Sequence, residues 1–372
     1  MENILSLAQH YLLPFLVVLG VVVFFHEFGH YIVARLCGVK IEAFSIGFGR
    51  EIFGWKDKHG TRWKVSWLPL GGYVKMYGDA GPASTPDASL KEMTPAQKKV
   101  SYFYQNVEKR LAIAAAGPIA NFLLAIVMLA LLFTFHGQSF TKPVVSGLMD
   151  DGAAAAAGVK TGDVIASIDG KKIEWFEDIV HAIALNTGTP MSIGITRGHE
   201  HLMLTVTPKV TTVNIMGMEA KIGRIGIKGD QVEYKKDPPL IAVYQATLET
   251  WNMAGEMLKG IGQMVIGLRG ADELGGPIRI VQMSGNIAKE GPVSLLHWAA
   301  FISINLGLIN LFPIPLLDGG HLLFYGIEWL RGRPLKEKTQ ELGFRAGLVF
   351  IVCLMLFVTW NDLVHLLHEL TL

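Results

Sequence analysis

The chain has 372 residues, of which 51% are hydrophobic and only 17% charged, and its net charge is +1. Typical globular domains carry roughly 25% charged residues, so the composition speaks against an ordinary soluble protein, and the near-zero charge against a nucleic-acid partner. The two cysteines, Cys37 and Cys353, exclude a disulfide framework and are read as packing residues.

The first predicted element is an apolar helix from about Leu12 to Ala34, within a first region of residues 1–36. It is long enough to cross a bilayer, which takes about 20 residues. No basic residue precedes it and no small-residue cleavage site follows, so it is read as a retained span rather than a signal peptide. It contains His26-Glu27-Phe28-Gly29-His30. Residues i and i+4 share a helix face, so both imidazoles can reach one metal ion. The glutamate between them can hold and deprotonate a water there, the chemistry of a zinc hydrolase. An ionised side chain inside a span costs roughly 2.5–3.5 kcal/mol, which zinc binding, at on the order of 10 kcal/mol, offsets. The alternative is two histidines and a glutamate merely hydrogen-bonded between helices.

Residues 37–78 are rich in β-formers and glycine, with "KDKHG" as a turn between "FSIGFGREIFGW" and "TRWKVSWLPLGGYVKMYG". This predicts a membrane-associated hairpin or small sheet. Within it Gly71, Gly72, Tyr73 and Val74 form either an exposed edge, on which a substrate adds as a further strand, or an ordinary membrane-facing strand. Residues 79–108 read as a linker, and 109–136 as a second span in which Gly117-Pro118 suits close helix packing and Asn121 a hydrogen bond near the substrate path. Residues 139–230 suit a compact α+β module. The stretch 239–290 has Trp251, Met253, Met257 and Met264 at helical spacing. That face suits a helix lying on the membrane surface or one packed on its own neighbours.

A third span falls in 291–330, since no Asp, Glu, Lys or Arg occurs between Glu290 and Asp318. Pro313 and Pro315 break it, and non-helical backbone at that depth requires a protein or aqueous surround. A fourth span lies in 342–368, with His365 and His368 as interfacial residues. A catalytic zinc usually takes three protein ligands. Asp318 and His321, delivered by the third span to the level of His26 and His30, are the candidates for the third. Asp318-Gly319 could also be a simple turn at a helix end.

Residues 35–110 hold 13 Lys and Arg, five more lie in 331–345, and none precedes Arg35 or follows Arg345. The positive-inside rule therefore places 36–108 in the cytoplasm, and both termini and the α+β module outside.

The segments "VVFFHEFGHYIVARLCGVKIEAFSIGFG", "LPLGGYVKMYGD", "KRLAIAAAGPIANFLLA", "GGPIRI" and "SINLGLINLFPIPLLDGGHLLF" together resemble the site-2 protease family of intramembrane metalloproteases, and its bacterial branch in particular. The resemblance runs over nearly the whole chain. It implies a polytopic α-helical membrane protein of the bacterial inner membrane, with four transmembrane helices, a cytoplasmic-side β-hairpin or sheet and one periplasmic α+β PDZ domain. It implies Zn2+ held by His26, His30 and Asp318, favouring the carboxylate over His321, with Glu27 as the general base. Asn310 and Pro313 match the family residues that help position substrate. The implied partners are the bilayer and single-span membrane proteins, among them anti-sigma factors and leftover signal peptides. Some family members carry two tandem PDZ modules, whereas only one fits between Phe140 and Asp230. That module suits either a peptide-binding role, with Gly223, Ile225 and Gly226 in the carboxylate loop, or a steric shield over the membrane site.

Overall fold

The computed structural model describes residues 8–79, 90, 92–149, 151–184, 188–215, 218–267 and 275–371. The chain divides into two compact units. One holds residues 1–130, 243–257 and 272–372, and the other holds 131–242 and 258–271.

In the first unit a π-helical turn, Ala8–Leu12, leads into helix α1 (Leu13–Leu36). Pro14 sits in its first turn, where a missing N–H costs nothing. The chain leaves the helix through Gly38 at φ 82° and enters an antiparallel pair, β1 (Ile41–Lys56) and β2 (Arg62–Met76). Asp57 closes the turn between them: its carboxylate accepts from the His59 and Thr61 N–H groups at 2.8 and 2.9 Å. It also accepts from Tyr31 on α1 and from the Trp63 indole, which anchors the hairpin to the helix. Both strands bend so far that Ala43–Ile46 lies between two parts of β2, Gly72–Lys75 on one side and Arg62–Val65 on the other. Among the described residues no further strand pairs with the far side of Gly72–Lys75. Phe44, Ile41, Val74 and Met76 pack with Ala34, Tyr102 and Ile113 into a continuous core beneath this sheet.

The stretch expected to be a linker contains a short helix, α2 (Pro95–Val100). Thr94 and Gln97 form a reciprocal capping box at its start, and Ser101 and Tyr102 after it are buried. Residues 80–89 lie outside the described residues.

Helix α3 (Val107–Phe135) follows. It crosses α1 closely, because a Cβ at Gly29 would overlap the Ala116 carbonyl and lie 2.7 Å from the Ala120 Cβ. Further along are α6 (Pro239–Val265), α7 (Pro277–Glu290), α8 (Pro292–Asn310), α9 (Asp318–Arg331) and α10 (Glu337–Thr371). The region 239–290 is thus two helices rather than one element. Along α6, Ala242, Ala246, Thr250 and Ala254 are buried, while Leu240, Tyr244, Leu248 and Leu258 are exposed. Trp251 is exposed too but stacks on Phe122, centroids 5.8 Å apart. Asp362 on α10 caps α7, its carboxylate accepting from the N–H groups of Gly276, Ile278 and Arg279 at 2.8, 2.9 and 3.2 Å. The region 291–330, expected as one span, is α8 and α9 with the proline-containing turn between them.

Among the described residues, four helical stretches are long and apolar enough to cross a membrane: Gln9–Leu36, Val107–Phe135, Pro292–Asn310 and Lys338–Val364. Many of their large apolar side chains, such as Val17, Leu123, Val349 and Leu356, are exposed. That pattern suits a lipid surround.

The second unit contains an α+β module. It comprises β3 (Gln138–Thr141), β4 (Gly147–Leu148), α4 (Ala153–Ala156), β5 (Val164–Ile168), β6 (Lys171–Lys172), α5 (Phe176–Ala184), β7 (Met191–Arg197), β8 (Glu200–Val206), β9 (Lys209–Ile215), β10 (Met218–Arg224), β11 (Ile227–Lys228) and β12 (Val232–Lys235). The main sheet has the order β6-β5-β7-β8, all neighbours antiparallel. The pairs β9–β10, β4–β11 and β3–β12 complete the module. Period-2 burial along β7 sends Ile193 and Ile195 inward to meet Ile165 and Ile179, each contributing about 1.5–3 kcal/mol. Arg197 donates to Asp163 at 2.7 and 2.8 Å and clamps β7 to the start of β5.

Candidate metal centre

The periodicity of α1 places His26 and His30 on one buried face, each 8% exposed, with ring centroids 4.9 Å apart. They face α3 at Gly117. A Cβ there would overlap His30 Nε2 and lie 2.8 Å from the His26 Cε1, so only glycine leaves room for both rings. His30 Nδ1 donates to the Ile113 carbonyl at 2.7 Å. Pro118 lies just beyond, and its missing N–H and ring loosen this turn of α3. The side-chain amide of Asn121, one turn along α3 from Gly117, lies 3.2 Å from His26 Nδ1.

Asp318 reaches the same point from another element. Helix α8 ends at Asn310, and the turn that follows brings Leu316 to φ 88°. This is a left-handed conformation that a leucine adopts only where its surroundings enforce it. Asp318 then opens α9. The two glycines after it permit the turn: a Cβ at Gly319 would overlap the Phe312 carbonyl, and one at Gly320 would lie 2.5 Å from that of Ile314. Further along, Arg110 of α3 pairs with Glu328 at 2.5 Å, both side chains nearly buried. The pair ties α9 to the helix that carries Gly117.

His26 Nε2 and His30 Nε2 stand 3.1 and 3.3 Å from Asp318 Oδ2 and 3.3 Å from each other. Zinc with ligands at about 2.0–2.1 Å in a tetrahedron has ligand–ligand edges of about 3.3–3.4 Å, so the three donor atoms have the spacing of one face of such a site. Asp318 Oδ2 is buried without a well-formed hydrogen bond, a costly state that a cation relieves. His30 has the outward hydrogen bond usual for a zinc-ligating histidine. The residues therefore fit zinc, and among the described residues they form the only His/Asp group close enough to hold an ion.

A cavity of about 270 Å³ opens on the group. His26, Glu27, His30 and Asp318 line it, together with Asn310, the strand residues Gly71, Gly72, Tyr73 and Val74, and Phe48, Tyr102 and His321. The Glu27 carboxylate accepts from the Val74 N–H, and a Cβ at Gly72 would lie 3.0 Å from Glu27 Cγ. The strand edge therefore runs directly along the glutamate. Gly71, at φ 110°, bends the strand where a side chain would strike the Phe48 ring.

Pro313 is exposed in the turn and does not line the cavity. His321 lines the cavity one turn beyond Asp318 but is outside the ligand group. Gly223, Ile225 and Gly226 lie in the α+β module. There the Ile225 side chain is part of the core, and the Ile225 and Gly226 carbonyls accept from Ala154 and Met149. The small residue at Gly117 marked a place of close helix packing in the sequence, but neither its partners, the two rings, nor the Ile113 carbonyl nor the conformation of Leu316 could be read there. Each depends on backbone that is distant in sequence or irregular.

The model of peptidase family M50 matches residues 14–354. A protein of Agrobacterium fabrum named as a zinc metalloprotease is 44% identical over 366 residues, covering 96% of each chain. One of Rhizobium meliloti, also named as a zinc metalloprotease, is 43% identical over 369 residues, covering 98% of this chain and 99% of its own. The metalloprotease MmpA of Caulobacter vibrioides is 38% identical over 378 residues, 95% of each chain. Among solved structures, the PDZ domain of an SdrC-like protein from Listeria monocytogenes is similar over 24% of this chain and 88% of its own, with 20% identity and a TM-score of 0.21.

Proposed function

The chain belongs to peptidase family M50 and is a zinc metalloprotease of the membrane, and on that premise we propose that it is an endopeptidase cutting single-span membrane proteins within or at the edge of the bilayer. The supporting observation is that His26, Glu27 and His30, on a helix apolar enough to span, and Asp318, at the start of α9, line one cavity beside a strand edge with which no further strand pairs among the described residues.

His26, His30 and Asp318 would hold zinc, which would supply Lewis-acid polarisation of water and of the scissile carbonyl. Glu27 takes a proton from the attacking water as its oxygen bonds to the scissile carbonyl carbon, and passes that proton to the amide nitrogen as the C–N bond breaks. A substrate helix shields its own peptide bonds, so it must open first. The edge at Gly72–Lys75 receives the opened segment as an added strand, and the main-chain bonds so formed replace those lost from the substrate helix. Asn310, which lines the cavity, donates to a substrate carbonyl. Pro313 acts on the substrate path only through the course of the turn.

The clustering of Lys and Arg in 35–110 and 331–345 supports an inner-membrane orientation with both termini periplasmic and the centre toward the cytoplasm. The substrate class extends to anti-sigma factors and leftover signal peptides, in regulated intramembrane proteolysis. The α+β module is a single periplasmic PDZ domain that takes free peptide C-termini by backbone contacts along Gly223, Ile225 and Gly226. Helix α6 lies on the membrane surface through Leu240, Tyr244, Leu248 and Leu258.

The test is cleavage of a tagged single-span anti-sigma-type protein in reconstituted membranes by wild type and Glu27→Gln, with bound zinc assayed in both. Retained zinc with cleavage lost is expected of the variant. Equal cleavage would remove Glu27 from the mechanism. Prolines placed through the cut region of the substrate should block cutting at alternate positions, and indifference to them would refute strand addition.

A further inference from the structure

We infer that Asn121 orients His26 by accepting its Nδ1–H, and thereby sets the affinity of the centre for zinc. The inference rests on His26 being a ligand, as proposed above. An imidazole that ligates through Nε2 offers its lone pair there and must carry its proton on Nδ1. That proton needs an acceptor, since an unpaired N–H in a dry interior costs about 1–3 kcal/mol. For His30 the acceptor is the Ile113 carbonyl. For His26 the group in reach is the Asn121 amide, at 3.2 Å.

The amide has one acceptor and two donors. Asn121 is fully buried, and its Oδ1 has no hydrogen-bond partner while its Nδ2 faces the ring. In that orientation Nδ2 donates to Nδ1, which forces the proton onto Nε2, the atom aimed at Asp318 Oδ2. A half-turn about the Cβ–Cγ bond exchanges the two ends of the amide. Oδ1 then gains the Nδ1–H, and Nε2 is freed for the metal. One rotation thus satisfies an orphaned acceptor and selects the ligating tautomer.

The backbone around Asn121 is held while the side chain turns. Ser303 of α8 donates to the Asn121 carbonyl at 2.8 Å, and Gly307 lets α8 approach so closely that a Cβ there would lie 3.2 Å from the Asn121 Cβ. Asn121 is therefore a positioning residue, acting on zinc only through His26.

Outer partners of this kind are worth about 10–100-fold in metal affinity. The test measures zinc affinity by chelator competition on the detergent-solubilised full chain, for wild type, His26→Ala, Asn121→Leu and Asn121→Asp. Leucine matches the size without an acceptor, whereas aspartate keeps one. Asn121→Leu should bind zinc about 10–100-fold more weakly, and Asn121→Asp should match or exceed wild type. Equal affinity of wild type and Asn121→Leu overturns the inference. So does equal weakening in both variants, which would mark a packing role. If Asn121→Leu does not fold, wild-type affinity in Asn121→Asp still supports the inference and its loss overturns it. If His26→Ala binds as tightly as wild type, the ligand assignment fails first and takes the inference with it.

Discussion

Replacing Gly117 by alanine should empty the metal centre while leaving the fold in place. Helix propensity alone favours the change by up to about 1 kcal/mol. Sterics reverse the sign. The new Cβ would overlap His30 Nε2 and lie 2.7 Å from His30 Cε1 and 2.8 Å from His26 Cε1. Carbon contacts settle at about 3.5–4.0 Å, so each ring must retreat by roughly 0.7 Å or more. Metal sites tolerate ligand displacements of only about 0.2 Å. Zinc affinity should therefore fall by at least about 100-fold, beyond the loss from an outer-shell change. The overpacking itself should cost about 1–3 kcal/mol. The control is Gly326→Ala on α9, a helical glycine with nothing within 4 Å of the added methyl. It should keep full zinc and gain up to about 1 kcal/mol. Zinc per chain by elemental analysis, with cleavage and thermal unfolding on the same samples, separates the two. Wild-type zinc and activity in Gly117→Ala would refute the packing of the two imidazoles on that glycine.

Leu316→Gly should relieve the left-handed backbone before Asp318, which costs about 1–3 kcal/mol against about 0.5–1 kcal/mol of added chain entropy. Unfolding should shift to slightly higher temperature, and a clear drop would show that the leucine side chain matters more than its strain. In the α+β module, the hydrogen bonds from Arg197 hold the Asp163 carboxyl below its usual range, although burial acts to raise it. A depressed folded-state value contributes stability above the unfolded value and loses it as pH falls through the folded one. Protection factors for amide exchange at β5 and β7 in the full chain should therefore fall below about pH 4. Asp163→Asn should flatten that dependence, and an unchanged acid limb in the variant would assign it to other carboxylates.

The two histidines and Glu27 were legible because their grouping is local: a spacing of four on one helix is enough. Asp318 was harder. Depth and turn chemistry left His321 as a rival, and only the irregular path through Leu316, with the tight fit of Gly319 and Gly320, separates them in space. The hairpin was visible as alternating β-formers. Its folding back on itself, so that Ala43–Ile46 is flanked by both ends of β2, was not, since register across a bend is set by tertiary packing. Helix α2 carries a local sequence signal: Thr94 followed by Pro95 and Gln97 is a capping box with proline in the first helical turn. Asn121 stood out as a polar residue in an apolar span, but its partner, on another helix, could not be read from α3 alone.

The same connectivity orders events in time. His26 is made early and Asp318 late, and at about 5–20 residues per second tens of seconds of translation separate them. Asp362, which caps α7, emerges later still. During that interval the nascent chain holds two histidines and a glutamate but lacks the carboxylate that completes the group. The order of synthesis thus means that the group of two imidazoles and a carboxylate can close only after Asp318, some three hundred residues beyond His26, has been made.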